Sequence, residues 1–203
     1  MRLLTYIGRQ FRQPTGFGGQ LSTFVMNRIN QKQYRAIESA LRLGDADRVL
    51  DIGFGNGYFL RRLAGKYHSR FWGIDISDDM RRAAAARNRN SIEAGRMALS
   101  VGDVVHMDFP DGAFDKVYTS HTVYFWSDLD QGLAEIWRVL KGGGLFVNAV
   151  NSKEVMDKIP VTKTGFAKYT LAELEEAGRR AGFTVETAAI VPGKMYCLLY
   201  RKP

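Results

Sequence analysis

The chain has 203 residues, 45% of them hydrophobic, 12% aromatic and 25% charged, with a formal net charge of +8. That is the size of about one domain at ~150 residues each, and the composition excludes disordered, collagenous and fibrous classes. No apolar run approaches the roughly 20 residues of a membrane-spanning helix. Residues 3–7 are too short and interrupted for a signal-peptide core, so neither secretion nor membrane insertion is expected. Cys197 is the single cysteine, which excludes an internal disulfide framework or a multi-thiolate metal site and fits a reducing compartment, the cytoplasm by default.

Residues 1–43 hold seven Arg or Lys against Glu38 alone, +6 of the total charge. Leu3, Leu4, Ile7 and Phe11 fall on one face of a helix flanked by Arg2, Arg9 and Arg12. Over 21–41, Phe24, Val25, Ile29, Ile37 and Leu41 repeat the helical period. Pro14-Thr15-Gly16-Phe17-Gly18-Gly19 parts the two expected helices and is flexible enough for a hinge. Residues 1–43 are therefore expected as a helical lid or extension on a domain of residues 44–203.

From Arg48 onward, short β-branched runs alternate with helical stretches, the pattern of a doubly wound α/β fold with a parallel sheet covered on both faces. Strands are expected over 48–52, 70–75, 98–101, 114–119, 144–150, 183–190 and 195–201. Helices are expected over 57–66, 78–93, 128–139 and 170–181, with Ser77 or Asp78 and Thr170 as N-caps. The short link at 191–194 predicts that the last two strands pair as an antiparallel hairpin.

The segment Val49-Leu50-Asp51-Ile52-Gly53-Phe54-Gly55-Asn56-Gly57 reads as an apolar strand running into a glycine turn and then a helix. Missing β-carbons and free helix-start N–H groups let a nucleotide-like ligand approach the backbone there. The dinucleotide fingerprint wants its third small residue three positions after Gly55, where this chain has Tyr58. Asp51, just before the turn, repels a pyrophosphate and suits a cationic ligand. Asp75 ends the second strand, where a carboxylate can accept both hydroxyls of a ribose, and Asp103 follows the third. Each feature alone also fits a tight turn or a helix cap; together, at a topological switch point, they point to a ligand site.

The order of these segments, with Gly73-Ile74-Asp75-Ile76, Gly102-Asp103, Phe114-Asp115-Lys116-Val117 and Leu140-Lys141-Gly142-Gly143-Gly144, resembles the class I S-adenosylmethionine-dependent methyltransferases over about residues 48–150. The resemblance implies a Rossmann-like seven-stranded sheet of order 3-2-1-4-5-7-6 with the last-numbered strand antiparallel. It implies S-adenosyl-L-methionine as cofactor, with Asp51, Gly53, Gly55 and Gly57 holding its methionine part. It places Asp75 on the ribose, Ile76 and Val104 beside adenine, and Asp103 on the adenine amino group. Ser120-His121-Thr122-Val123-Tyr124-Phe125-Trp126 then lines the methyl-transfer site, Ser120 or His121 touching cofactor.

His121 is a candidate general base, with positioning alone as the competing account, because methyl transfer needs alignment and desolvation above all. Tyr124 and Trp126 are candidates for an aromatic wall of the acceptor pocket or for plain core. No Asn/Asp/Ser-Pro-Pro-aromatic motif follows the fourth strand, so nucleic-acid amino groups lose weight, and one remote cysteine argues against thiolate-assisted ring methylation. A small-molecule acceptor is expected. The basic extension reads as a solvated face, a lid over an anionic acceptor, or a peripheral surface for an anionic membrane or nucleic acid, the last without a recognition motif to accompany it. A nicotinamide-dependent oxidoreductase and a non-catalytic cofactor-binding or basic-surface module remain the alternatives at this point.

Overall fold

In the computed structural model, which describes residues 30–203, the apolar runs become β1 (Arg48–Ile52), β2 (Arg70–Asp75), β3 (Met97–Val101), β4 (Phe114–Ser120), β5 (Leu140–Asn151), β6 (Thr184–Val191) and β7 (Met195–Arg201). They form one sheet of order β3-β2-β1-β4-β5-β7-β6. β1 to β5 pair in parallel, and β7 runs antiparallel to both β5 and β6. The hairpin over 191–194 is therefore as expected. The chain leaves β1 toward β2 and β3, then crosses back to place β4 on the other side of β1. That reversal opens a crevice at the carboxyl edge between β1 and β4.

Seven helices cover the faces: α1 (Gln31–Leu41), α2 (Tyr58–Ala64), α3 (Asp78–Arg87), α4 (Arg89–Glu93), α5 (Leu129–Val139), α6 (Lys153–Lys158) and α7 (Leu171–Arg180), counted among the described residues. Short 3-10 turns occupy Val123–Phe125 and Pro160–Lys163. Strand alternation sends side chains into two cores. Leu145, Val147 and Ala149 of β5 face α1 and α2, while Phe146 and Val150 face α5 and α7. No helix among the described residues is long and apolar enough to cross a membrane.

Two expectations need correction. The helix over 78–93 is broken at Asn88, whose side-chain amide donates to the carbonyls of Gly57 (3.1 Å) and Ala84 (2.9 Å). A contact from the glycine turn thus ends α3 where its own sequence carries no breaker. β5 starts at Leu140 rather than residue 144, because Phe114 pairs with Leu140 before an irregularity shifts the register to Lys116 with Leu145. Ser77 is the N-cap of α3, accepting from the Met80 N–H, and Thr170 forms a full capping box with Glu173.

The helix expected around residues 3–11, the hinge at 14–19 and residues 21–29 lie outside the described residues. α1, the described part of the extension, has its apolar stripe in the core. Ile37 and Leu41 are fully buried among Val49, Leu60, Tyr118 and Val147. Buried Glu38 is tied to Arg62 (2.7 Å) and Lys66 (2.5 Å) on and just after α2. Burial of this carboxyl favours its neutral form, but those two cations outweigh it and hold its pKa below the ordinary value.

Candidate functional site

After Ile52 the backbone reverses through Gly53-Phe54-Gly55-Asn56-Gly57 into α2. Gly53 has φ +76°, its N–H donates to the Ile74 carbonyl (2.8 Å), and a Cβ there would stand 2.3 Å from the Thr122 methyl. Gly57 has φ +70°, and its Cβ would meet that of Ala84 at 2.7 Å. Both positions need glycine for packing as well as for the left-handed backbone. Gly55 differs: no atom of the described residues lies within 4 Å of where its Cβ would be. The turn is thus packed at its two ends and open above its middle. Phe54 turns inward, its ring filling the space a Gly73 side chain would need.

Asp75 secures this turn from the end of β2. One carboxylate oxygen accepts the Gly55 N–H and the other the Ser77 N–H, each at 2.9 Å. Burial raises its pKa, opposed by those two donors. The same carboxylate keeps further lone pairs for a ligand's hydroxyls. Asp51, 4% exposed, accepts from the Tyr118 hydroxyl at 2.8 Å. Burial pushes its pKa up to about 8; the Tyr118 bond opposes this and nearby Asp75 adds to it. Tyr34 of α1 stacks on Phe59 (4.5 Å between ring centres), its own pKa pushed up to about 12 by burial. A buried acid with no cationic partner among the described residues suits a cationic ligand group.

Farther along the edge, Ile76 is half-buried and Val104 buried, while Asp103 is exposed, with one carboxylate oxygen on the Val105 N–H (3.2 Å). Asp51, Asp75 and Asp103 therefore stand at the carboxyl ends of β1, β2 and β3 in spatial order.

Beyond β4 the chain turns at His121, a non-glycine residue with φ +60°, whose N–H bonds to the Ala149 carbonyl (3.0 Å). Its ring stacks on Tyr124 with centres 6.3 Å apart. Burial lowers the imidazole pKa to about 4, so the ring is neutral at pH 7 and only weakly basic. Tyr124 and Trp126 are both buried. The Tyr124 hydroxyl accepts the Asn151 N–H (2.7 Å) and donates to the Asn151 carbonyl (3.2 Å). Trp126 donates to the Thr122 hydroxyl (3.2 Å) and lies against Gly132. Their polar ends turn into protein and brace residues 121–126. The Ser120 hydroxyl is buried with no hydrogen-bond partner among the described residues.

Sequence reading passed over three residues at this edge. Tyr118 could have been found by alternation, two positions before Ser120 on β4. Gln33 and Asn151 give no local signal, since only tertiary packing brings them here. Of the basic residues, Lys32, Arg35 and Arg42 lie exposed on or just after α1, and Arg2, Arg9, Arg12 and Arg28 fall outside the described residues. A glycine turn with two buried carboxylates over β1 and β2, and an exposed carboxylate past β3, is an arrangement suited to a nucleoside with an attached cation.

Comparison with known proteins agrees with this fold. The family described as "Methyltransferase domain" matches residues 50–148. The "Uncharacterized methyltransferase YdaC" of Bacillus subtilis is 25% identical over 184 residues, covering 90% of this chain and 98% of that protein. The "Ubiquinone/menaquinone biosynthesis C-methyltransferase UbiE" of Geobacter sp. is 30% identical over 152 residues, 74% of this chain and 63% of that protein. The chain thus spans under two thirds of that relative's length. A chain from the complex between the Haloferax volcanii Trm112 methyltransferase activator and the putative methyltransferase has the same fold, with TM-score 0.75 at 24% identity over 88% of this chain and 92% of that one.

Proposed function

This chain belongs to the class I S-adenosylmethionine-dependent methyltransferases, with S-adenosyl-L-methionine as methyl donor, and on that premise we propose that its acceptor is a small molecule held over the carboxyl ends of β4 and β5. When bound, the cofactor supplies an electrophilic methyl group that passes by in-line displacement to the acceptor's nucleophilic atom and leaves S-adenosylhomocysteine. The observation that carries the reading is the glycine turn, open above Gly55 and flanked by the buried carboxylates of Asp51 and Asp75.

In this reading Gly53, Gly55 and Gly57 seat the methionine part, with Asp51 facing its ammonium group. Asp75 takes the ribose hydroxyls, Ile76 and Val104 flank the adenine ring, and Asp103 accepts from its amino group. Ser120 and His121 stand where the acceptor meets the methyl group, held there by Tyr124 and Trp126 beneath. A neutral, weakly basic imidazole orients an acceptor better than it deprotonates one, so alignment and exclusion of water carry the rate. The relative of quinone biosynthesis supports a small acceptor, as does the lack of a nucleic-acid amino-methylation motif after β4.

The test follows S-adenosylhomocysteine release over panels of small phenols, amines, carboxylates and thiols, with an oligonucleotide and a peptide as controls. At least one small-molecule class is expected to turn over. Asp75→Asn, which keeps one carbonyl acceptor for the turn but loses the carboxylate, should lower its kcat/KM at least tenfold. Turnover of the oligonucleotide or peptide alone would overturn the acceptor class.

A further inference from the structure

Three buried polar atoms share one patch at this edge and have no hydrogen-bond partner among the described residues: Gln33 Oε1, Ser120 Oγ and Asn151 Oδ1. Gln33 itself is 1% exposed. The register brings them together. Ser120 pairs with Ala149 and Ala149 with Cys197, both of which face α1. Asn151, two residues beyond Ala149 on the same strand, shares that face by alternation and pairs with Met195. Gln33 reaches down from α1 to donate its side-chain N–H to the Met195 sulfur at 3.1 Å. Neighbouring strands lie about 5 Å apart and alternate residues about 7 Å, so the three side chains are neighbours on one face of the sheet at its carboxyl edge. Tyr118 of β4 and Asp51 of β1 lie on the same face, one and two strands from Asn151.

Native proteins leave few buried polar atoms unpaired, because each forfeits its hydration without return. Two amide carbonyls are fixed acceptors, and a serine hydroxyl accepts or donates. Groups that offer hydrogens satisfy such atoms; a hydrocarbon satisfies none. We infer that Gln33, Ser120 and Asn151 form the polar end of the acceptor pocket and select acceptors bearing a hydroxyl or amino hydrogen next to the methylated position. This rests on the placement of the acceptor over β4 and β5 stated above. Asn151 has a further tie to that placement: its backbone is bonded to Tyr124, on whose ring His121 stacks. The same adjoining rings make an aromatic probe appropriate.

The experiment titrates the protein with phenol, aniline and toluene, the last replacing the donor with a methyl of similar size, with and without saturating S-adenosylhomocysteine. Binding is followed by nuclear magnetic resonance on the side-chain amide signals of Gln33 and Asn151. Phenol or aniline is expected to shift both amides and to bind at least fivefold tighter than toluene. Gln33→Met and Asn151→Leu, which keep side-chain shape, are each expected to erase that preference. Equal binding of toluene, a preference that survives both substitutions, or no shift of either amide with any probe would overturn the subsite. Should either variant fail to fold, the wild-type amide shifts and the phenol-to-toluene ratio still decide. Failure of S-adenosylhomocysteine to bind while phenol keeps its preference would count against the cofactor placement alone.

Discussion

Asp51 carries its proton differently in the folded and unfolded chain. Burial sets its folded pKa at about 8 against an ordinary 3.8. The folded protein therefore keeps a proton that the unfolded chain releases, and the stability this confers is complete below pH 3.8 and lost as pH rises through about 8. The melting temperature of the cofactor-free protein is expected to fall between pH 5 and pH 8 relative to Asp51→Asn; parallel curves for the two proteins would contradict that assignment. The glycines separate in the same way, by what surrounds each. Gly53→Ala drives a methyl into Thr122 at a left-handed residue and should cost about 2–4 kcal/mol of stability. Gly55→Ala meets no atom of the described residues, so it should cost about 1 kcal/mol yet weaken S-adenosylhomocysteine binding at least tenfold, because its methyl enters the ligand's space. Denaturant melts and calorimetry on both variants check the pair. A Gly55→Ala protein that binds normally would place the methionine part elsewhere.

At the scale of elements, α1 settles how the described part of the N-terminal extension packs. Its sequence shows an apolar period through Ile37 and Leu41 beside a basic face, which suits a lid as well as a core helix, and only packing against Val49, Tyr118 and Val147 separates the two. Ile37→Ala is expected to cost about 2–4 kcal/mol, the range for emptying a fully buried site. A loss under about 1 kcal/mol in a urea melt would mean that α1 rests loosely on the sheet. Strands were legible because their β-branched runs are short and bounded by turn residues, and the β6–β7 hairpin because its link is too short for a crossover. The break between α3 and α4 was hidden: Asn88 ends the helix through the Gly57 carbonyl, a partner 31 residues away. The early start of β5 was hidden for a like reason, since Leu140 joins the sheet through its pairing with Phe114 across an irregular register.

At the scale of the whole molecule, a parallel sheet with one reversal of strand order collects its strand ends at a single edge. That is why three aspartates spread over 53 positions of sequence, Asp51 to Asp103, can be grouped at one edge from the sequence alone. Motif spacing conveys that edge because each residue follows a strand directly. It conveys nothing of Gln33, which reaches the edge from a helix on top of the sheet, or of the core packing that turns Tyr124 and Trp126 inward. The central claim is that this edge holds an adenosyl ligand with a cationic tail. Calorimetric titration with S-adenosylmethionine, S-adenosylhomocysteine and NADH addresses it most directly. The adenosyl pair is expected to bind with micromolar or tighter affinity and NADH to give no heat of binding; heat from NADH alone, or from none of the three, would contradict it.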